Sequence, residues 1–517
     1  MIAQALAGFG WGGAGWPAPA FGATAPPARS ALVIGNERYP HNRLRSAAND
    51  ARAMADLLKR AGFAVDLRQN AVRDEMVQAI EALGRALAEP DVGTALFYYA
   101  GHAAQLDWRN YLLPVDGRVG SAADVPQQCV DLGLLMKRLQ GTKGKTKLIF
   151  LDACRDDPFG PRLRLPTRGM SPYDAPPGTL LGYATAPGRV ALELDGRPNG
   201  LYTEHLLREL AVPGVRIEDA LKRVRLNVRL ASRGKQVPWE STSLEEDVYL
   251  LSAPRPSEAE LERQLRDEYR TWTRIRSSTD PDDWVQYLRR YPNGKFAELA
   301  QVRLRRLLDT REPAPKPAST PRTTALRLGQ GLPVPAPLDG SGNPYSAGTY
   351  AFRPVWTPGD EYVFEERDVF SGVPRRRFRS VVRRVDARGN RVAFADGSVV
   401  DLMGGPLRDG DERRYDVPIQ INPVELQVGR KWSSRFEQTG QAAGTGEYDF
   451  RITTREEVTV PAGRFSAFRI EGLGSFNGKP LQLTRWVVPG LNLAVRREAR
   501  HAGLARVLVS ARQAVWA

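Results

Sequence analysis

Two side chains that could together carry out nucleophilic chemistry, Cys154 and His102, follow apolar runs in this 517-residue chain. Residues 148–151 form a short continuous apolar run, which is typical of a strand buried on both faces of a parallel sheet, and Asp152 and Cys154 follow it. Residues 94–99 form a second such run, and an Ala-Gly pair and His102 lie beyond its predicted end. Parallel strands end at a common edge of an α/β sheet, so we expect the thiol and the imidazole to meet there.

A cysteine beside a histidine is the minimum set for a thiolate nucleophile. Only a few per cent of an ordinary thiol is ionised at neutral pH, and a neighbouring imidazole raises that fraction. Each residue alone has a simpler interpretation, because a buried cysteine is usually a small core side chain and a histidine after a strand is usually a hydrogen-bonded polar residue. Their joint position at two strand ends favours the chemical interpretation.

The residues around this pair resemble the caspase and metacaspase-like cysteine peptidases, in particular the bacterial caspase-like branch. The motifs that carry the resemblance are, in order, A-L-V-I-G-N-E-R-Y, A-N-D-A, Y-Y-A-G-H-A, D-A-C-R-D-D-P-F, G-Y-A-T-A-P-G and N-G-L-Y-T, between residues 31 and 251. The histidine also precedes the cysteine by about 50 residues, as in caspases. The resemblance implies a mostly parallel α/β domain in which His102 is the general base and Cys154 the nucleophile.

The resemblance also implies a substrate preference and an oxyanion site. Acids that match Asp50 and Asp152 line a pocket for a basic side chain in metacaspases, which implies cleavage after Arg or Lys. The other interpretation of Asp50 is a cap or turn acid at the start of a helix. The backbone amides of Cys154 and Ala103 match the oxyanion donors, and such a donor typically contributes about 3 kcal/mol.

Two features depart from the family pattern. The family usually has glycine after the catalytic histidine, where this chain has Ala103, and it has small polar residues in the pocket where this chain has Ala47 and Ala100. A caspase-type site has no obligatory third catalytic residue, and none is assigned. No cofactor or metal is expected, and calcium dependence is left open.

Residues 155–178 are rich in Arg, Pro and Gly and show no periodicity, which predicts a long loop beside the active site. Caspase-like enzymes resemble one another in cutting the connection that follows the nucleophile strand. Arg162, Arg164 and Arg168 lie in this connection and are the candidate self-processing sites. The alternative is that these arginines only make the loop soluble.

The amino-acid composition limits the kinds of partner and site that we expect for this chain. The apolar content of 42% and the charged content of 26% are those of an ordinary soluble protein. The net charge of +15 is compatible with nucleic acid or an anionic surface, but no base-stacking motif or lysine block accompanies it, so we expect no specific nucleic acid. The partners that the resemblance implies are protein or peptide substrates with basic residues. Only Cys129 and Cys154 are present, which excludes a disulfide scaffold and a cysteine-cluster zinc site. Cys129 has no histidine nearby and is expected to play no chemical role.

Residues 1–28 are apolar, uncharged and rich in Gly, Pro and Ala, and they resemble a signal peptide. Residues 23–25 match an A-x-A cleavage site, although the basic start of a signal peptide is missing. Export to the periplasm or the medium is the prediction, and a disordered leader on a cytoplasmic protein is the alternative. No other segment is apolar enough over 18 residues to span a membrane.

The rest of the chain predicts a small helical module and an all-β domain. Ser257 and Glu260 form a capping-box pattern, and Asp280-Pro281 marks a second helix start. Beyond a Pro-rich linker, short alternating runs separated by turns predict an antiparallel sheet or half-barrel, whose V-x-V-P-A-G-x-F and W-x-x-P-G motifs resemble β-domains of bacterial envelope proteins. The predicted divisions are a leader at 1–29, a peptidase domain at 30–253, a helical module at 257–310, a linker at 311–345 and a β-rich domain at 346–517.

The predicted fold class is therefore an α/β caspase-like domain followed by an α-helical module and a C-terminal all-β antiparallel domain. The predicted function is a cysteine endopeptidase that cleaves after Arg or Lys through a Cys-His dyad and processes itself. The alternative is a catalytically weak caspase-like scaffold or envelope-binding protein, in which the helical and β modules bind partners.

Overall fold

A computed structural model describes residues 28–515 apart from 143, 155–158, 160–162, 164, 166–168, 187–195, 254–256, 293, 310–342, 353, 369–370, 372, 388, 411–412, 417–418, 441–442, 490, 492–493 and 502–506. Within these residues the chain forms an α/β domain, a group of three helices and a closed barrel. The fold class predicted from the sequence is confirmed.

The α/β domain is built on one central sheet. Its strands are β1 (Ala28–Gly35), β2 (Phe63–Gln69), β3 (Val92–Leu106), β4 (Arg109–Leu112), β5 (Val130–Asp131), β6 (Thr146–Cys154), β7 (Thr179–Tyr183) and β8 (Trp239–Thr242). Its helices are α1 (Ala47–Arg60), α2 (Arg73–Ala88), α3 (Val125–Gln128), α4 (Leu132–Gln140), α5 (Leu201–Leu210) and α6 (Ile217–Ala231). The strand order is β2-β1-β3-β6-β7-β8, and only β8 runs antiparallel to its neighbour along this path.

Both faces of this sheet are covered, because residues 95–100 of β3 and 148–151 of β6 form continuous apolar runs whose alternate side chains must enter different layers. Leu96 and Tyr98 of β3 pack with α1, α5 and α6, whereas Phe97 and Tyr99 pack with α2 and α4. The even-numbered positions of β3 and β6 therefore face α1 and α5, which carry one side of the candidate site.

The strand that carries His102 is longer than the sequence pattern predicted. His102 does not lie beyond the end of a strand, because β3 continues to Leu106 and its last four residues pair antiparallel with β4. The sheet ends at β8, which is its edge strand, and residues 248–251 contribute only an isolated bridge between Arg216 and Tyr249. The length of β3 and the identity of the edge strand both depend on pairing between distant segments, which the local hydrophobic periodicity of the sequence does not reveal.

The helical module consists of α7 (Glu258–Ile275), α8 (Pro281–Arg290) and α9 (Ala297–Asp309). The two predicted helix starts are present, because the Ser257 hydroxyl accepts a hydrogen bond from the Glu260 amide and the Asp280 carboxylate accepts one from the Asp282 amide. Trp272 and Trp284 meet edge to face in the core of the module. None of the helices that the structure describes is both long and apolar enough to cross a membrane.

The β region contains more and longer strands than the sequence pattern predicted. They are β9 (Tyr350–Ala351), β10 (Glu361–Asp368), β11 (Pro374–Asp386), β12 (Arg391–Phe394), β13 (Val399–Val400), β14 (Pro406–Arg408), β15 (Arg414–Tyr415), β16 (Glu425–Leu426), β17 (Lys431–Thr439), β18 (Gly444–Val460), β19 (Gly463–Phe476), β20 (Lys479–Val487), β21 (Ala494–His501) and β22 (Val507–Val515). β9 pairs with β16, and the other strands close an antiparallel barrel in which β10 pairs with β22. Closure replaces the predicted half-barrel and leaves no unpaired edge in it.

The three parts are joined by ion pairs that are buried or partly buried. Arg430 donates to both carboxylate oxygens of Glu298 in α9, at 2.9 and 3.0 Å. Arg225 in α6 lies 2.5 Å from Glu240 in β8 and 3.8 Å from Glu425 in β16. Where the parts meet, the attraction between neighbouring carboxylates and guanidinium groups therefore offsets the free-energy cost of removing their charges from water.

Candidate active site

The backbone places His102 and Cys154 beside each other. Cys154 is the last residue of β6, and it is the register partner of His102 in β3. Paired positions of neighbouring parallel strands lie on one face of a sheet, so position 154 shares the face of His102 and Asp152. The two residues singled out from the sequence are thus brought together by strand pairing.

Two tyrosines hold the backbone of His102. The Tyr39 hydroxyl accepts a hydrogen bond from the His102 amide at 3.0 Å, and the Tyr99 hydroxyl donates to the His102 carbonyl at 2.6 Å. The glycine at position 101 makes room for them, since a Cβ there would lie 2.6 Å from the Tyr99 oxygen and 2.7 Å from the Tyr39 oxygen. The Tyr39 ring also packs against the imidazole with a centroid separation of 4.5 Å. This packing fixes the position of the imidazole.

The imidazole is oriented by a main-chain carbonyl. His102 is 1% exposed, and its Nε2 lies 2.6 Å from the carbonyl oxygen of Asn42. A carbonyl only accepts, so this contact requires the proton on Nε2 and leaves Nδ1 as the basic nitrogen of the neutral ring. Asn42 has a positive φ of 54°, a conformation that asparagine tolerates and β-branched residues do not. Sequence reasoning assigned no third group, and a backbone carbonyl leaves no signal in residue types.

The amide of Ala103 is directed to the same side of β3 as β6. The Leu113 amide donates to the His102 carbonyl at 3.0 Å, while Ala103 is the register partner of Leu112. This pattern makes Ala103 and Leu112 a non-hydrogen-bonded pair, so the Ala103 amide points away from β4. An alanine in place of the family's glycine therefore leaves this donor directed towards the Cys154 strand.

Asp50 and Asp152 converge on one point at the start of α5. Both are buried, at 2% and 7% exposure. A Cβ added at Gly200 would lie 3.2 Å from an Asp50 carboxylate oxygen and 3.3 Å from an Asp152 carboxylate oxygen. Asp50 lies in the first turn of α1, but its carboxylate contacts the start of α5, where the Gly200 amide donates to it at 3.0 Å. The two predicted pocket acids are therefore neighbours.

Polar side chains satisfy the two carboxylates. Asn199 donates to Asp50 at 2.7 Å, and Ser46 also hydrogen-bonds Asp50. The Thr203 hydroxyl donates to Asp152 at 2.6 Å. Burial and the charge of Asp152 together raise the pKa of Asp50 to about 7, although its hydrogen bonds oppose that shift. The pair thus holds its second negative charge only with difficulty in the absence of a cation.

These partners explain one departure from the family pattern. Ala47 and Ala100, which stand where small polar residues are usual, are both buried in the apolar cluster on this face. The polar contacts come instead from Ser46, Asn199 and Thr203. Asn199 and Thr203 belong to the N-G-L-Y-T motif noted in the sequence, so the signal was present although no role was assigned to them.

Other predicted residues lie apart from this cluster or outside the description. The candidate processing residues Arg162, Arg164 and Arg168 lie outside the described residues. Cys129 is 1% exposed, and burial raises the pKa of its thiol to about 12. Cys129 is therefore a protonated core side chain at neutral pH. Among the described parts of the chain, no group of three or more His, Cys, Asp or Glu residues could hold a metal ion.

The far end of the connection after β6 is held by the segment that leads into the barrel. Asn343 donates to the Ser171 hydroxyl at 3.0 Å, and the Asp174 amide donates to the Tyr345 carbonyl at 2.9 Å. The Asp174 carboxylate accepts a hydrogen bond from the Ala347 amide at 2.7 Å. Residues 171–174 are thus fixed from outside the α/β domain.

Comparison with known families agrees with this geometry. The model of the caspase domain family matches residues 28–249. The α/β domain is therefore similar to the caspase domain family. A probable protease from a Desulfuromonadales bacterium is 30% identical to this chain over 154 residues, which are 28% of this chain and 18% of that protein.

Two further proteins are similar to part of this chain. The human mucosa-associated lymphoid tissue lymphoma translocation protein 1 is 25% identical over 180 residues, 34% of this chain and 21% of that protein. The Drosophila initiator caspase Dronc is 16% identical, with a TM-score of 0.33, and the match covers 43% of this chain and 82% of that structure. The chain thus spans about a fifth of the length of these curated relatives.

The Asn42 contact predicts that backbone conformation at this exposed position controls the histidine. Asn42→Val should lower kcat towards any cleaved peptide by about tenfold or more, because a β-branched residue resists positive φ and moves the carbonyl that orients the base. KM should change little. Asn42→Gly is the matched control, since glycine adopts this φ freely, and it should retain wild-type kcat. If the valine and glycine variants had equal pH–rate profiles and equal kcat, the Asn42 carbonyl would not orient the imidazole as described.

Proposed function

We propose that this protein is a cysteine endopeptidase in which Cys154 attacks the peptide carbonyl and His102 transfers the protons. The single observation that carries the proposal is the pairing of His102 with Cys154 across β3 and β6. The match of residues 28–249 to the model of the caspase domain family supports it. The orientation of the imidazole by Asn42 further supports the assignment of the base.

In the proposed reaction, Nδ1 of His102 takes the proton of the Cys154 thiol, and the thiolate sulfur bonds to the scissile carbonyl carbon. The resulting oxyanion is held by the amides of Ala103 and Cys154. The imidazolium then protonates the leaving amine as the C–N bond breaks, which leaves a thioester on Cys154. A water molecule that gives a proton to His102 hydrolyses the thioester and restores the thiol.

The acidic pair supports specificity for a basic side chain before the cleaved bond. Asp50 and Asp152 are close, buried and mutually repulsive, and a guanidinium or ammonium group between them would compensate both charges. Such a cation lowers the pKa of Asp50 and favours the doubly ionised pair. Asp-ended substrates would add a third negative charge and should be excluded.

This proposal predicts a loss of Arg cleavage when one acid is neutralised. The wild type should cut fluorogenic peptides that end in Arg or Lys but not those that end in Asp. Cys154→Ala should cut none of them. Asp152→Asn should lower kcat/KM for the Arg peptide by about a hundredfold or more, because an unpaired buried charge costs several kcal/mol.

Asp56→Asn is the matched control, since Asp56 lies on the exposed side of the same helix as Asp50. It should leave kcat/KM unchanged. Preferred cleavage of the Asp peptide by the wild type would refute the pocket assignment. Absence of any cleavage by a folded wild type, with and without calcium, would favour the scaffold function.

We also propose that the enzyme cuts the connection after β6 at Arg162, Arg164 or Arg168. The wild type should yield an N-terminal fragment that ends near one of these residues, identified by intact-mass measurement, while Cys154→Ala stays whole. Because β6 of the N-terminal fragment pairs with β7 of the C-terminal fragment, the two fragments should elute together in gel filtration. Full activity of a variant with all three arginines changed to Gln, with no fragments from the wild type, would exclude self-processing.

A further inference from the structure

We propose that the barrel binds a small oxyanion, a carboxylate or a phosphate group, through the paired side chains of Arg485 and Arg497. The two residues are register partners on β20 and β21. Their cationic side chains therefore lie on one face of the barrel at directly opposed positions, an arrangement that is unfavourable without a counter-charge.

Arg485 is the buried member of the pair. It is 6% exposed, and one guanidinium nitrogen, Nη1, donates to the Ile421 carbonyl at 2.9 Å and to the Asn422 side-chain oxygen at 2.6 Å. Both acceptors are neutral. Among the residues that the structure describes, no carboxylate forms an ion pair with Arg485. A guanidinium does not lose its proton to escape burial, so the charge must be met by another group.

Arg497 supplies the accessible side of the pair. Arg497 is exposed. Burial of Arg485 is the main cause that lowers the pKa of the Arg485 guanidinium, and the positive charge of Arg497 lowers that pKa further. Glu366 is the carboxylate that acts on Arg497 electrostatically, but its hydrogen bond, at 3.0 Å, comes from Arg376. The cluster thus retains an excess of positive charge that solvent-borne anions can reach.

Two partly buried arginines show how the same protein compensates guanidinium groups elsewhere. Arg430 donates to both oxygens of Glu298, and Arg225 lies 2.5 Å from Glu240. In each case a neighbouring carboxylate supplies the counter-charge. Arg485 lacks such a partner in the described part of the chain, and an oxyanion from solution would take that place with the planar, two-point geometry that guanidinium groups recognise.

The site is tested on the full chain in a Cys154→Ala background, which keeps the protein intact during the measurement. Calorimetric titrations with sodium phosphate and with sodium acetate, each against sodium chloride at equal ionic strength, should show one saturable site for at least one oxyanion. Phosphate binding without acetate binding would identify a phosphate group as the ligand chemistry, and the reverse result a carboxylate.

Arg485→Met should weaken this binding by roughly tenfold or more, because it removes charge-assisted hydrogen bonds. Arg464→Met changes an exposed arginine on β19 and should bind as the parent does. If Arg485→Met does not fold, Arg497→Met at the accessible position replaces it in the binding test and should weaken binding in the same way. Absence of saturable binding in the parent, or equal binding by the parent and a folded Arg485→Met or Arg497→Met variant, would overturn the proposal.

Discussion

The repulsion between two buried carboxylates, Asp50 and Asp152, is the interaction on which the candidate site depends most. Each belongs to a different element, since Asp50 opens α1 and Asp152 nearly ends β6, and both are met by the start of α5. The positive end of the α5 dipole and the donors at its first turn make this convergence tolerable. Burial and mutual repulsion still dominate, because they raise the pKa of Asp50 to about 7. Under the proposed function, the charge of a basic substrate side chain would relieve this repulsion.

The same face of the sheet presents the proposed catalytic pair. Strand pairing places His102 beside Cys154. The carbonyl of Asn42, a residue with positive φ, orients the imidazole. A cationic side chain seated between the two acids would thus bring its following peptide bond towards the thiol. The proposed specificity and the proposed chemistry are connected through β6, because Asp152 and Cys154 are only two positions apart on this strand.

Sequence patterns predicted the parts of this arrangement that residue types determine. The apolar runs predicted β3 and β6, and the motifs singled out His102, Cys154, Asp50 and Asp152 before any contact was known. The extension of β3 past His102, the edge strand β8 and the closure of the barrel depend on pairing between distant segments, which local periodicity does not encode. The role of the Asn42 carbonyl could not be read either, since every residue has a carbonyl and only the fold selects this one.

Proton release on binding of an arginine side chain tests the central claim most directly. Calorimetry of the Cys154→Ala protein with an arginine amide, in two buffers of different ionisation enthalpy, measures how many protons leave on binding. Since Asp50 is largely protonated below a pKa of about 7 and a bound cation favours its ionised form, binding at about pH 6 should release close to one proton and binding at about pH 8 far less. Asp50→Asn should abolish the release. Binding at about pH 6 without proton release would show that the two acids are not the coupled, cation-seeking pair that this account requires.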